Sequence, residues 1–255
     1  MNKPMKTTDE LLFDLMSELN GRSSSDTSAA NKKLLILSTP RSGSSLFCDV
    51  LTRTSEIGEC KEWFNPRYIQ AYAKLFNLSQ VDFNEYTQFI TKKTIGPSGV
   101  FAVNMHIEQI LQLKQSNINP LDLGFDLIVY VSRRNKIKQA ISLARASLTD
   151  QWSTGTAGRE APAEIPNSLI AQSLHHILES EQIYSTDLKQ LVHEEFEYED
   201  FQNLDTNSCY DTVLGLLGKS WSGTAKTTLE RQADESSSNA VTRFMNHITG
   251  SPVTS

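Results

Sequence analysis

The 255-residue chain has few cysteines and no long apolar run. Its three cysteines, Cys48, Cys60 and Cys209, are widely spaced, which argues against a disulfide framework and favours a reduced, intracellular compartment. No apolar run is long enough to cross a bilayer, and residues 1–22 show an acidic amphipathic pattern rather than a signal peptide. We therefore expect a cytoplasmic protein without a stable membrane anchor.

Basic residues and metal ligands are also scarce. The 24 Lys and Arg residues are outnumbered by 30 Asp and Glu residues, which gives a net charge of −6. This balance gives no support to binding of nucleic acid or of an anionic membrane surface, so an anionic ligand would need basic residues gathered at one place. The adjacent His175 and His176 point in different directions on a helix, and no cluster in the sequence suggests a metal site.

What the chain does contain is a series of strand-length apolar runs that alternate with stretches of helical periodicity. The runs at residues 34–37, 100–105 and 125–131 predict buried strands, and a weaker alternation predicts a strand at 194–201. Strands separated by helices indicate an α/β fold with right-handed crossovers. We predict a three-layer α/β/α architecture with a central, mainly parallel sheet.

The remaining segments suggest how the chain is divided. We predict an N-terminal amphipathic helix and linker at residues 1–33, a main domain at 34–244 and a polar C-terminal tail at 245–255. A linker rich in Ser, Ala, Asn and Lys follows the N-terminal helix, so we expect that helix to be peripheral and mobile.

The loop after the first predicted strand has the features of an anion-binding site. It reads Thr39-Pro-Arg-Ser-Gly-Ser-Ser45 and leads into a stretch of helical periodicity. Free N–H groups and the dipole at a helix N-terminus favour an anion, and Arg41 adds a planar guanidinium that suits oxyanions. No Lys follows Gly43, so the loop is not a Walker A motif and does not indicate a magnesium-dependent NTPase.

Other polar residues follow predicted strands in the same way. Arg133 comes at the start of the helix after the third strand, and His106 ends the second strand. Glu62 lies downstream of the first strand beside two aromatic residues. Because ligands of parallel sheets bind beyond the strand C-termini, we predict that one cleft holds these residues and Arg41.

Several short motifs occur one after another along the chain. They are Thr39-Pro-Arg-Ser-Gly-Ser-Ser-Leu46, Gly58-Glu-Cys-Lys-Glu-Trp-Phe64, Gly99-Val-Phe101, Arg133 with Gln139-Ala-Ile-Ser142, Arg145-Ala146, and Leu229-Glu-Arg-Gln-Ala-Asp234. In this order they resemble the bacterial sulfotransferase family of the trehalose 2-sulfotransferase type, which depends on 3′-phosphoadenosine 5′-phosphosulfate (PAPS). The resemblance covers roughly residues 34–244.

The resemblance implies a P-loop-like sulfotransferase fold and metal-independent, in-line transfer of a sulfuryl group from PAPS to a hydroxyl of a carbohydrate or glycolipid. It also implies the residues that bind PAPS. These are Arg41, Ser42, Gly43, Ser44 and Ser45 at the 5′-phosphosulfate, Arg133 and Ser142 at the 3′-phosphate, and Arg231 and Gln232 over the adenosine end.

The resemblance further implies which residues act in catalysis. Glu62 matches the carboxylate proposed as the general base, and Arg41 would stabilise charge on the leaving phosphate. His106 is the rival base, because cytosolic sulfotransferases carry a catalytic His at such a strand end. Asn104 stands where the family often has Lys.

The acceptor and the partners follow less directly. The predicted acceptor contacts are Trp63, Phe64, Arg145 and Trp152. A homodimer is implied by analogy with the family. Two alternative functions remain at this point: a P-loop-like nucleotide kinase or hydrolase, and a non-catalytic relative that binds PAPS or its product adenosine 3′,5′-bisphosphate (PAP).

Overall fold

The computed structural model describes residues 6–23, 30–152, 164–229 and 235–250. Within these ranges four strands form one parallel sheet in the order β2-β1-β3-β4. The strands are β1 (Lys32–Ser38), β2 (Val100–His106), β3 (Leu127–Ser132) and β4 (Glu194–Glu197). Parallel neighbours need long crossovers, and helices supply them here.

The helices of the described ranges lie between and around these strands. They are α1 (Thr8–Gly21), α2 (Ser44–Arg53), α3 (Pro66–Leu75), α4 (Phe83–Thr94), α5 (Ile107–Gln115), α6 (Lys136–Thr149), α7 (Asn167–Ile183), α8 (Tyr198–Phe201), α9 (Ser208–Leu216) and α10 (Glu235–Thr249). Short 3₁₀ segments occur at Pro120–Leu123 and Lys189–Leu191, and one π-helical turn at Tyr184–Leu188.

Side chains of β1 alternate between two apolar cores, one on each face of the sheet. Leu34 and Ile36 pack with α2 and α9, whereas Leu35 and Leu37 pack with α1, α3, α4 and α5. A third cluster joins α6, α7 and α10. Because successive residues of a strand point to opposite faces, the central strand is apolar at each position from Leu34 to Leu37. The predicted three-layer α/β/α architecture with a parallel sheet is confirmed.

The expectation that the N-terminal helix is peripheral is wrong. Met16 and Leu19 of α1 have no exposed surface, and both belong to the core cluster beneath one face of the sheet. Thr7 and Glu10 form a reciprocal capping box that starts the helix. The apolar face of α1 packs mainly against α3, the helix that follows Glu62. The N-terminal helix therefore supports one wall of the region around Glu62.

We expect Leu19→Ala to lower the free energy of unfolding by about 2–5 kcal/mol, because it removes a fully buried side chain and leaves a cavity. Chemical denaturation of the purified chain measures this. The matched control is Leu11→Ala on the same helix, at a position that is only partly buried and lies outside the core cluster. Equal and small losses for both variants would contradict the packing of α1.

Two other predictions about elements need correction. Residues 194–201 were expected to form one strand, but only Glu194–Glu197 do so, and Tyr198–Phe201 turn into the short helix α8. The predicted boundary at residue 244 falls inside α10, where Phe244 is 2% exposed and packs in the third cluster.

In the part of the chain that the structure describes, no helix has both the length and the apolar character that crossing a membrane requires.

Candidate active site

The loop between β1 and α2 leaves the start of the helix open. Gly43 is the N-cap of α2, has φ 93° and makes no side-chain cap bond. A Cβ on Gly43 would lie 2.3 Å from a ring carbon of Tyr198, so both the backbone angle and the space require glycine. Since the N–H groups of the first turn have no partner inside a helix, this end can receive an anion.

The hydroxyl groups of this loop differ in what they contact. Ser42 is fully buried, and its Oγ has no hydrogen-bond partner among the described residues. Ser44 Oγ accepts a hydrogen bond from Asn104 Nδ2 at 3.2 Å, whereas Ser45 is exposed. A buried hydroxyl without a partner is costly unless a ligand satisfies it. Ser42 therefore fits the anion that the sequence predicted for this loop.

Asn104 and Gln139 hold the loop from two sides. Asn104 is buried, accepts from Ser38 Oγ at 2.9 Å and donates to Ser44, so its amide links β1 to the first turn of α2. Gln139 of α6 is fully buried and donates from Nε2 to Thr39 Oγ1 at 2.9 Å and to the carbonyl of Pro40 at 2.7 Å. These contacts fix the backbone that carries Arg41.

Arg41 has φ 62° and reaches from the loop toward α6. Its Nε donates to Ser142 Oγ and its Nη1 to the carbonyl of Trp152, each at 2.9 Å. Burial lowers the pKa of Arg41, and the charge of Arg133 lowers it further, whereas Glu62 and Tyr198 act in the opposite direction. Burial is the largest cause, so the lowered pKa shows a guanidinium that is poorly solvated, and a bound anion would stabilise its charge.

The second strand-to-helix junction lies beside the first, because β3 pairs with β1. The guanidinium of Arg133 stacks over the ring of Tyr198, 4.9 Å from its centroid. The same ring contacts Gly43, so Tyr198 joins the two junctions. A cleft of about 350 Å³ opens here, and its lining residues are Arg133, Arg134, Asn135, Lys138, Tyr198, Glu199 and Gln202.

Glu199 occupies the backbone N–H groups at the start of α6. It accepts from the N–H of Arg134 at 2.9 Å and from that of Asn135 at 3.2 Å. Burial alone would raise the pKa of Glu199, but these bonds and the charge of Arg133 lower it overall. The backbone N–H groups at this helix start are therefore already engaged by a carboxylate of the protein.

Glu62 is held beside the end of β2 by the segment that precedes it. Lys61 forms a parallel bridge to Val103, and its carbonyl accepts the N–H of Asn104 at 3.0 Å. Trp63 Nε1 donates to the carbonyl of Glu59 at 2.7 Å, which closes the turn around Glu62. The segment therefore extends the sheet edge and places Glu62 near the strand C-termini.

The Glu62 carboxylate accepts two amide hydrogen bonds on one oxygen. Oε2 accepts from Asn65 Nδ2 at 2.9 Å and from Gln109 Nε2 at 2.8 Å. His106 Nδ1 lies 3.8 Å from the same oxygen. Burial raises the pKa of Tyr68, and the nearby charge of Glu62 raises it further. The two amides thus fix the orientation of the carboxylate, and its charge raises the pKa of Arg41 against the effect of burial.

The structure brings most of the predicted site residues together. Arg41, Ser142 and the backbone of Trp152 are in direct contact, and Arg145 lies one turn after Ser142 on α6. Trp152 is 39% exposed. Arg231 and Gln232 lie outside the described residues. The roles assigned to all these residues stay predictions.

Trp63 and Phe64 are not at the surface. Both side chains are 0% exposed and belong to the core cluster around α1, α3 and α4. Trp63 packs edge-on against Tyr68, and its carbonyl accepts the hydroxyl of Tyr86. This packing accounts for Trp63 without a ligand, whereas Phe64 also borders an open groove next to Gln109.

Sequence reasoning missed Gln109 and Tyr198. Gln109 follows His106 by three residues, and its Oε1 accepts the His106 N–H at 3.2 Å, the spacing of a helix-capping residue. That spacing was a usable signal. Tyr198 gave no local signal, since its contacts with Gly43 and Arg133 come from elsewhere in the chain.

Within the described ranges no three His, Cys, Asp or Glu side chains are grouped to hold a metal ion, and metal independence stays a prediction.

Comparison with known proteins identifies the family. A search of curated proteins found no significant match. The sequence model of the Stf0 sulphotransferase family matches residues 33–247, a range that contains the candidate site and the four described strands except for the first residue of β1. The suspected resemblance is confirmed, and the chain belongs to the Stf0 sulphotransferase family.

Proposed function

We propose that this sulfotransferase moves a sulfuryl group from PAPS to a hydroxyl of a carbohydrate or glycolipid, without a metal ion. The observation that carries the proposal is the position of Glu62 next to an anion-binding loop. The loop offers an uncapped helix start, the buried hydroxyl of Ser42 and the guanidinium of Arg41. A base and an anion site side by side are the parts that sulfuryl transfer to a hydroxyl requires.

The two strand-to-helix junctions suit the two anionic ends of PAPS. The first would hold the 5′-phosphosulfate through Arg41, Ser42 and the N–H groups of α2. The second would hold the 3′-phosphate through Arg133, with Ser142 between the two sites because it already contacts Arg41. The adjacency of β1 and β3 supports this arrangement, since one ligand can then reach both junctions. We propose that Arg231 and Gln232 cover the adenosine end.

A groove between α3 and α5 supports an uncharged acceptor. It has a volume of about 270 Å³ and begins at Gln109, which contacts Glu62. Its lining carries no charged side chain and combines amides with apolar groups: Phe64, Pro66, Ile69, Gln70, Gln109, Gln112, Leu113 and Ser116. Amides can donate to and accept from hydroxyl groups, while the apolar floor suits the C–H faces of a sugar.

The chain's own residues would carry out the reaction as follows. PAPS supplies the sulfuryl group and a phosphate leaving group when bound. The N–H groups of α2 and Arg41 stabilise the charge that develops on the leaving phosphate oxygen. Glu62 takes the proton of the acceptor hydroxyl, and His106 remains the alternative base at 3.8 Å from it. Fixed donors need no rearrangement during the reaction, which is why the contacts of Asn104 and Gln139 matter.

One observation favours a second candidate, a non-catalytic relative that binds PAPS or PAP. Asn104 is neutral where the family often has Lys, and both ends of its amide are engaged within the protein. It therefore brings no charge to the transferring group. Such a relative would bind PAP and transfer no sulfate.

We expect PAP to stabilise the chain and AMP to do so much less, because AMP lacks the 3′-phosphate that Arg133 would bind. At a PAP concentration of 100 times its Kd, linkage gives about 2.7 kcal/mol. For a chain of this size that corresponds to a Tm increase of roughly 5–10 °C. Differential scanning fluorimetry of the full chain with each nucleotide measures this.

Transfer is then assayed with radiolabelled PAPS and a panel of neutral disaccharides that includes trehalose, with charged and phenolic acceptors as comparison. Equal stabilisation by AMP and PAP would contradict the proposed donor. Stabilisation by PAP without transfer to any acceptor would favour the non-catalytic relative. Magnesium-dependent turnover of ATP would instead support the kinase or hydrolase alternative.

A further inference from the structure

Gln109 lies between the end of β2 and the carboxylate of Glu62. It is 5% exposed, and both ends of its side-chain amide have partners within the protein. Its Oε1 accepts the backbone N–H of His106 at 3.2 Å, and its Nε2 donates to Glu62 Oε2 at 2.8 Å. A backbone N–H can only donate and a carboxylate oxygen accepts, so the two partners fix which end of the amide is which.

The second amide on Glu62 comes from a different element. Asn65, the N-cap of α3, donates from Nδ2 to the same Oε2 at 2.9 Å, and its own Oδ1 accepts the N–H of Arg67 at 3.0 Å. Both amides are therefore oriented by backbone groups at helix starts. Glu62 is held from α3 on one side and from α5 on the other, by two donors that converge on one oxygen.

This arrangement distinguishes the two carboxylate oxygens. Protonating Oε2 would place an O–H against two N–H donors and displace at least one of the two hydrogen bonds. Among the residues that the structure describes, none donates a hydrogen bond to Oε1. The proton of an acceptor hydroxyl therefore has one favourable position on Glu62.

We infer that Gln109 is a positioning residue for the transfer reaction: with Asn65 it fixes Oε2 of Glu62 and leaves Oε1 to take the proton of the acceptor. This inference rests on the proposed function. In the step concerned, the acceptor oxygen forms a bond to sulfur while the bond from sulfur to the phosphate oxygen breaks. The electron pair leaves with PAP, and the acceptor proton moves to Oε1 and later to water.

The pH dependence of transfer gives a readout that a purely structural role of Gln109 would not change. The groups that face Glu62 are His106 from the end of β2, Arg41 from the loop after β1, Tyr68 from α3 and Cys48 from α2. Gln109→Met leaves these four side chains in place but also removes the acceptor of the His106 backbone N–H, whereas Gln109→Glu keeps that acceptor. A hydrogen bond to the charged form of a carboxylate favours that form, so its loss moves the acid limb of the rate profile to higher pH.

The test compares Gln109→Met with Gln115→Met. Met has nearly the shape of Gln and favours helix but has no donor, and Gln115 is an exposed residue of the same helix that does not border the groove. We expect Gln109→Met to lower kcat by about 10-fold and to move the acid limb up by about 1 pH unit. The Tm increase with PAP should be unchanged, which also shows that the variant is folded.

A second variant keeps the inference testable if Gln109→Met is poorly folded. Gln109→Glu keeps the acceptor for the His106 N–H but places a carboxylate against Oε2, so the acid limb should move further than in Gln109→Met. If the wild type transfers sulfate and the pH–rate profile of Gln109→Met equals that of Gln115→Met, the inference is overturned while the proposed function stands. Absence of transfer by the wild type to the whole acceptor panel would overturn the proposed function and this inference with it.

Discussion

Arg41→Ala is expected to abolish stabilisation by PAP and to lower kcat/KM for PAPS by roughly 10²–10³-fold. The physical reason is that the guanidinium of Arg41 is buried beside Arg133, and these two causes lower the pKa of Arg41. An anion at the open start of α2 would stabilise this buried charge, and the variant removes the guanidinium that the loop itself carries. Scanning fluorimetry with PAP and initial-rate assays measure the two effects.

Two further variants separate ligand binding from support of the loop. Arg41→Lys keeps a charge but loses the planar donor set that contacts Ser142 and Trp152, so we expect partial binding. Arg53→Ala removes an arginine at the other end of α2, where it pairs with Asp49, and we expect it to leave PAP binding unchanged. If Arg41→Ala retained the full Tm increase with PAP, this loop would not be the donor site.

Three strands of the sheet could be predicted because they are buried on both faces. Such strands appear in the sequence as short continuous apolar runs, and β1, β2 and β3 all do so. The loop between β1 and α2 could be predicted as a turn, because Pro40 and Gly43 mark a tight turn between a strand and a helix. The residues of β4 are partly buried or exposed, so they form no continuous apolar run. The end of this strand could therefore not be predicted to within a few residues.

The sequence could not show whether an aromatic side chain faces a ligand or the core. Trp63 and Phe64 stand next to Glu62, which suggested acceptor contacts, but neighbouring residues in a turn point in different directions. Both side chains belong to the core cluster around α1, α3 and α4, and of the two Phe64 also borders the groove next to Gln109. The burial of α1 was hidden in the same way, because an amphipathic pattern is the same for a helix packed on its own domain and for one that is peripheral.

The contacts that define the site are mostly between distant parts of the chain. Glu62 and Gln109 are 47 residues apart, and Arg41 and Ser142 are 101 apart. Local patterns report how a residue relates to its neighbours along the chain, not which residue the fold places against it. The type of residue at the site was therefore predictable, but its orientation and its supporting contacts required the structure.

Glu62→Gln is expected to keep PAP binding and to lower transfer by about 10²–10⁴-fold, the usual range for loss of a general base. The substitution keeps size and shape. A glutamine at this position can turn its Oε1 toward the donors of Asn65 and Gln109, which places its NH₂ group where the carboxylate oxygen faced the acceptor. An amide NH₂ cannot take a proton from a hydroxyl, so the fold is retained while the chemistry is lost.

The matched control is Glu59→Gln, three residues earlier in the same segment, which removes a charge paired with Arg22. We expect transfer by this variant to equal that of the wild type, because its carboxylate faces α1 rather than the anion-binding loop. Initial rates with saturating PAPS separate the two variants, and the Tm increase with PAP reports donor binding in each.

Unchanged transfer in Glu62→Gln, together with its loss in His106→Asn, would assign the base to His106, because that imidazole is the other proton acceptor beside the end of β2. The proton would then pass to the histidine ring, and transfer would not depend on the charge of Glu62.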